Sequence, residues 1–211
     1  MDTNVRTAVF DEWVRSFATL IAENRSHLTE LDAAIGDADH GSNMDRGMKA
    51  AVRALDETQP ATVGALFSKV GMTLVSAVGG ASGPLFGTLF LRMGGSFGEA
   101  DDVSPDRVAT ALRAGLDGVV ARGKAEAGDK TMYDALAPAV QALEGALSQQ
   151  ESLAGGWQRA CAAATAGRDA TTPMLARKGR ASYLGERSVG HQDPGATSVA
   201  LLFEAATQSS F

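Results

Sequence analysis

Apolar residues recur at intervals of three and four along nearly the whole chain. Phe10, Val14, Phe17 and Ile21 form one stripe, and Met44, Met48, Val52 and Leu55 a second. Val63, Leu66, Val70 and Leu74 follow, then Leu85, Leu89 and Met93. Val108, Leu112, Leu116 and Val119 make a fifth stripe, and Met132, Leu136, Val140, Leu143 and Leu147 a sixth. A seventh runs from Leu153 past Trp157 and Ala164, with Pro173 expected to kink it. The last runs from Pro194 to Ala206 through Val199, Leu202 and Phe203. That spacing is one face of an α-helix, while the two-residue alternation of a strand is missing. The pattern predicts an all-α fold of about eight helices with no strands. Mostly short connections favour antiparallel neighbours in a bundle. No linker or composition break interrupts the chain, so a single domain over 1–211 is expected. The irregular pieces fall at 31–41, 94–104, 122–130 and 174–194.

Composition narrows the function classes. The chain has 211 residues, 45% hydrophobic and 21% charged, an ordinary globular balance. A net charge of -6 argues against a generic nucleic-acid surface, which needs the opposite sign. The single cysteine, Cys161, allows neither a disulfide framework nor a cysteine-built metal cage, and is expected as a small core residue on a helix. The stretch 1–24 carries Asp2, Asp11, Glu12 and Glu23 and lacks the basic and apolar regions of a secretory leader. No run approaches the roughly 18 apolar residues of a membrane span, so a cytoplasmic protein is expected.

Three of the irregular pieces are rich in Asp, Gly, Lys and Arg and abut helix starts, where binding groups tend to sit. In the first, Asp32, Asp37 and Asp39 fall within eight residues, followed by His40, Gly41, Ser42 and Asn43. Like charges this close repel unless a positive group sits among them, and carboxylates suit a hard cation such as magnesium. A simpler account makes Asp39 a helix cap and Asp37 a partner of the helix dipole, but it explains three acids poorly. An EF-hand fails, because Ser42 stands where glycine is wanted and Met48 where glutamate is wanted.

The second motif, Val78-Gly-Gly-Ala-Ser-Gly-Pro-Leu-Phe-Gly87, offers Ser82 as a cap and Pro84 in the first turn. Bare backbone at a helix start suits a phosphate, although a tight turn between core helices would use the same glycines. It is not a dinucleotide fingerprint. Gly118 to Ala125 narrowly misses a P-loop: Ala125 replaces the hydroxyl, and a helical stripe precedes it. Gly128-Asp-Lys-Thr-Met132 then opens the sixth helix, with Asp129 or Thr131 as cap. The fourth piece gathers Arg177, Lys178, Arg180 and Arg187, either a phosphate clamp or a solvated basic loop. Asp193-Pro194 reads as a cap and first helical residue, and His191 as a bystander. A cation site, a helix N-terminus and an arginine loop are together the parts of phosphoryl transfer.

Asp32 with Gly36-Asp-Ala-Asp-His-Gly41, Gly79-Gly-Ala-Ser-Gly83, Gly128-Asp-Lys-Thr-Met132, and Gly179-Arg-Ala-Ser-Tyr-Leu-Gly-Glu-Arg187 with His191-Gln-Asp-Pro-Gly195 resemble the L-subunit family of dihydroxyacetone kinases. The resemblance spans essentially the whole chain in order. It implies an eight-helix antiparallel barrel with ADP or ATP across one end, and two Mg²⁺ held by Asp32, Asp37 and Asp39. Those acids, His40 and Arg180 would carry the catalytic work. The nucleotide contacts would come from His40, Gly41, Ser42, Asn43, Ala81, Ser82, Gly123, Met132, Arg180, Asp193, Pro194 and Gly195. The acceptor sugar would sit on a separate K subunit, and a phosphotransferase M subunit would recharge ADP from phosphoenolpyruvate. An ATP-exchanging kinase for a related sugar and a nucleotide-sensing regulator are the alternatives, and a homodimer is left open.

Overall fold

The computed structural model describes residues 4–211; the opening Met1–Thr3 of the N-terminal stretch lies outside them. The described residues form nine α-helices, one 3-10 segment and a single two-residue ladder. Helices α1 (Thr7–Glu23), α3 (His40–Glu57), α4 (Val63–Ala77) and α5 (Ser82–Phe97) follow the first four stripes. Helices α6 (Pro105–Gly123), α7 (Tyr133–Ser148), α8 (Leu153–Ala170) and α9 (Pro194–Thr207) follow the last four.

The departures from the sequence reading have local causes. Helix α2 (Arg25–Ile35) lies where no stripe is legible and runs into the start of the piece 31–41 read as irregular. Its inward face is Leu28, Asp32 and Ile35, so an acid stands where an apolar residue would have marked the stripe. Strands β1 (Val5–Arg6) and β2 (Asp102–Val103) pair antiparallel, too short to register any alternation. Helix α8 ends at Ala170, so Pro173 kinks nothing. The long piece 174–194 contains the 3-10 segment Arg180–Ser188, broken at Gly185 by a φ of 57°.

Neighbour contacts run in a circuit. Helix α1 packs on α3 and α9, and between those two the chain passes α4, α5, α6, α7 and α8 in order, each against the next. Helix α2 lies outside it, against α3, α9 and the 3-10 segment. The interior is aromatic: Phe10, Trp13, Phe67, Phe97, Trp157 and Phe203 are all buried. Trp13 and Trp157 sit 5.1 Å apart, and the Trp13 indole donates to the Leu202 carbonyl at 2.8 Å, joining α1 to α9. Such rings contribute both area and edge-to-face attraction. Helices α4 and α5 approach until backbones touch: a methyl group placed on Gly71 would lie 2.8 Å from the Gly87 carbonyl.

Candidate functional site

Four helices begin around one cleft of about 390 Å³. His40 starts α3, Ser82 starts α5, Met132 precedes α7 and Pro194 starts α9, and all four line it. Gly123 brings in the C-terminal end of α6, and Asp32 and Ile35 that of α2. The positive ends of four helix dipoles therefore converge on one space, which favours an anion there. The volume lies in the range of small-molecule sites, roughly 300–1,000 Å³.

The acidic trio is assembled as the sequence suggested. Asp32, Asp37 and Asp39 each offer a carboxylate oxygen, and these lie within 4.8 Å of one another. Arg180 reaches Asp37 at 3.0 Å from the 3-10 segment, while its side chain stays 66% exposed. Capping falls to a different acid than expected. Asp39 makes no side-chain cap. Instead Asp32 reaches over from α2 and accepts from the amides of Asp39 at 2.8 Å and His40 at 3.1 Å with the same oxygen. Its second oxygen makes no side-chain hydrogen bond among the described residues.

His40 lies buried between two hydroxyls. Its Nδ1 is 2.9 Å from Ser82 Oγ and its Nε2 2.8 Å from Ser198 Oγ. Burial pushes its pKa down from 6.5 to about 4, against the pull of Asp32 and Asp39, so the ring is neutral at pH 7. Ser82 thus acts not as a cap but as a hydroxyl held toward the cleft by a histidine. The glycines beside it are partly packing: Gly80 takes a φ of 66°, and a methyl group on Gly83 would lie 2.2 Å from the Val78 carbonyl.

The remaining expected residues divide into two groups. Ala81, Gly123, Met132, Arg180, Asp193, Pro194 and Gly195 line the cleft. Gly41, Ser42 and Asn43 stand one step inside α3 and do not. Gly41 packs on the Arg25 carbonyl, and Asn43 packs beside Gly79 while accepting from Arg46 at 2.7 Å. Asp193 caps α9 by accepting from the Ala196 amide at 2.7 Å, as read, and removal from solvent pushes its carboxyl up to about 7. Thr131 accepts from the Tyr133 amide at 3.2 Å at the start of α7, Asp129 turns back to Glu126 N, and Asp134 ties the approach by accepting from Gly128 at 2.6 Å and Thr131 at 2.8 Å. His191 is exposed and offers only its carbonyl. Cys161 is half-buried on α8, its thiol pushed up by burial.

Lys130 was passed over. Its side chain is fully buried and its ammonium is ringed by backbone carbonyls. The apolar wall of Leu85 and Val119 was read only as core. Among the described residues no helix is long and apolar enough to cross a membrane.

Fold and cleft together define a helical protein in which four helix starts and three clustered acids face one cleft. The DAK2 domain model matches residues 34–208. The chain is 44% identical over 192 residues to the ADP-binding subunit of the PEP-dependent dihydroxyacetone kinase of Escherichia coli, covering 91% of each. It is 45% identical to a corresponding subunit of Listeria innocua, covering 93% of each. Among solved structures, the dihydroxyacetone kinase of C. freundii in complex with AMP-PNP and Mg²⁺ superposes with a TM-score of 0.74 at 28% identity. That match covers 99% of this chain but 35% of the longer C. freundii chain. This chain belongs to the DAK2-domain family, alongside the L subunits of dihydroxyacetone kinases.

Proposed function

We propose that this chain carries ADP in the cleft and relays a phosphoryl group to dihydroxyacetone bound on a separate K subunit, with an M subunit drawing on phosphoenolpyruvate as the source. The observation that carries the reading is an oxygen-only acidic trio beside four helix starts in one cleft. Relatives named as ADP-binding subunits, alike over nine-tenths of both chains, supply the nucleotide.

Asp32, Asp37 and Asp39 would hold two Mg²⁺, whose chemistry is to neutralise phosphate charge during transfer. The chain's own groups then orient the nucleotide. Ser82 and the first amides of α5 would take the terminal phosphate, with neutral His40 fixing where the Ser82 proton points. Arg180, exposed beside Asp37, would swing onto phosphate oxygens. Leu85, Val119, Gly123 and Met132 form an apolar slot suited to adenine. Asp193, Pro194 and Gly195 would add a wall beside Met132, and Gly41, Ser42 and Asn43 would brace the cleft from inside α3. Little covalent chemistry is asked of the protein, which matches a site built of charge and amides.

The test is to purify the protein with no nucleotide added, denature it and chromatograph the supernatant for adenine nucleotides. Stoichiometric ADP supports a retained cofactor recharged by a partner. An empty protein that binds ATP reversibly moves the reading to an ATP-exchanging kinase. Retained ADP without turnover on added K subunit leaves a nucleotide sensor. Binding of neither nucleotide with Mg²⁺ refutes the reading.

A further inference from the structure

Lys130 sits at the seam between two walls of the cleft. Its side chain is 1% exposed. Its Nζ donates to the carbonyls of Thr171 at 2.8 Å, Thr172 at 3.3 Å and Met174 at 3.1 Å, and to that of His191. Every direct partner is a backbone carbonyl; the nearest carboxylate influence is that of Asp193, acting through space. A buried ammonium is costly unless it is hydrogen-bonded, so a cage of four oxygens is what makes its burial tolerable. The backbone at Lys130 takes a φ of 63°, uncommon for a side chain that is not glycine, asparagine or aspartate.

The partners explain what the cage joins. Thr171, Thr172 and Met174 leave the end of α8, and His191 stands just before the Asp193–Pro194 start of α9. Between them lies the 3-10 segment that carries Arg180. On the other side, Thr131 and Met132 follow Lys130 directly and line the cleft. Two backbone-directed bonds run along the same seam: Arg177 N to Asp129 O at 3.1 Å, and Asp193 N to Thr171 Oγ1 at 3.0 Å.

We propose that Lys130 is a positioning residue whose caged ammonium locks the Arg180-bearing segment and the Asp193 turn to the Thr131–Met132 wall, so that both walls meet the nucleotide as one body. The inference rests on the ADP reading above. Lys130 touches no reacting atom; it acts through the segments it ties.

Lys130→Met keeps the stem and removes every proton donor. The expected result is an MgADP Kd raised about ten-fold or more, measured well below the unfolding temperature, with helical circular dichroism retained. A double-mutant cycle supplies a readout that simple loss of stability would not move. Arg180→Ala should cost far less in the Lys130→Met background than alone, because the segment is already loose. Lys130→Gly suits the left-handed backbone and leaves the carbonyls open to a small cation. Ammonium or potassium should restore its MgADP affinity, whereas tetramethylammonium, too large for the cage, should not. Wild-type affinity in Lys130→Met, or strictly additive losses without cation rescue, overturns the proposal. Should neither variant fold, hydrogen exchange on the wild-type chain decides. MgADP should protect the amides of 175–190 and 129–134 together, and a 175–190 segment that exchanges freely beside a protected 129–134 overturns it. A wild-type chain that binds no MgADP instead fails the ADP reading, separately from the clamp.

Discussion

Asp32 carries two duties that one substitution can separate. One oxygen accepts both amides at the start of α3, and the carboxylate also stands in the cluster with Asp37 and Asp39, where it would add to a cation's ligands. Asparagine, with its carbonyl turned to the amides, keeps the first duty and loses the charge. Two carboxylates 4.8 Å apart repel by roughly 1 kcal/mol in water and roughly 3.5 kcal/mol at a protein-surface dielectric. Asp37 is exposed and Asp39 half-buried, so the lower value governs both pairs, and the relief is about 2 kcal/mol. Against it, two charge-assisted hydrogen bonds become ordinary ones, at about 1 kcal/mol each. The ligand-free Asp32→Asn protein should therefore match wild type within about 1 kcal/mol. Ligand at a hundred times its Kd adds about 2.7 kcal/mol, or roughly 5–11 °C in Tm for a chain of this size. Thermal unfolding followed by circular dichroism, with and without Mg²⁺ and ADP, should show that rise in wild type and its absence in Asp32→Asn. Asp32→Ala, which strands both amides, should also lose about 2–4 kcal/mol without ligand. An Asp32→Asn protein that keeps the full ligand-induced rise would remove Asp32 from the metal assignment. One that unfolds like the alanine variant would show that the charge itself holds α3.

Ser82→Ala removes the hydroxyl between His40 and the expected phosphate; calorimetric titration should give an MgADP Kd raised about ten- to a hundred-fold, and an unchanged Kd would place the phosphate elsewhere. His40 binds its proton near pH 4 when folded against 6.5 when unfolded, so its contribution is complete above pH 6.5 and lost as pH falls through 4, roughly 3 kcal/mol in all. Urea unfolding of wild type and His40→Asn across that window should therefore converge at low pH, and parallel curves would contradict the burial argument. Gly71→Ala forces a methyl group onto the Gly87 carbonyl and should lower stability by about 1–3 kcal/mol in urea while sparing the MgADP Kd of the folded protein.

How far the sequence reached depended on where an element hid its apolar face. Stripes such as Met44–Leu55 and Leu136–Leu147 lie against the core, and their period is legible because nothing but packing selects those residues. Helix α2 broke the pattern because its inward position is Asp32, chosen for chemistry. The acids, Ser82 and the arginine loop could be listed from motif spacing, Arg180 and the Asp193 turn as site residues from the family resemblance, and the structure brings them to one cleft. Which group does which job was not legible. That Asp32 rather than Asp39 satisfies the α3 amides depends on two helices meeting, not on distance along the chain. Lys130 carries no signal of its burial in the sequence, because its partners are carbonyls 41 to 61 residues away and carbonyls leave no trace there.

The two described ends of the chain meet far from the cleft. Asn4, Val5, Ser210 and Phe211 border one depression with Pro105 and Leu153, the first residues of α6 and α8. Helix α6 runs from there to Gly123 at the cleft, a distance of about 28 Å for its 19 residues. A dye or surface tether attached beside Asn4 or Phe211 would therefore hang on the side of the molecule away from the cleft. Held on a sensor chip through those residues, the protein would present the cleft to the flow.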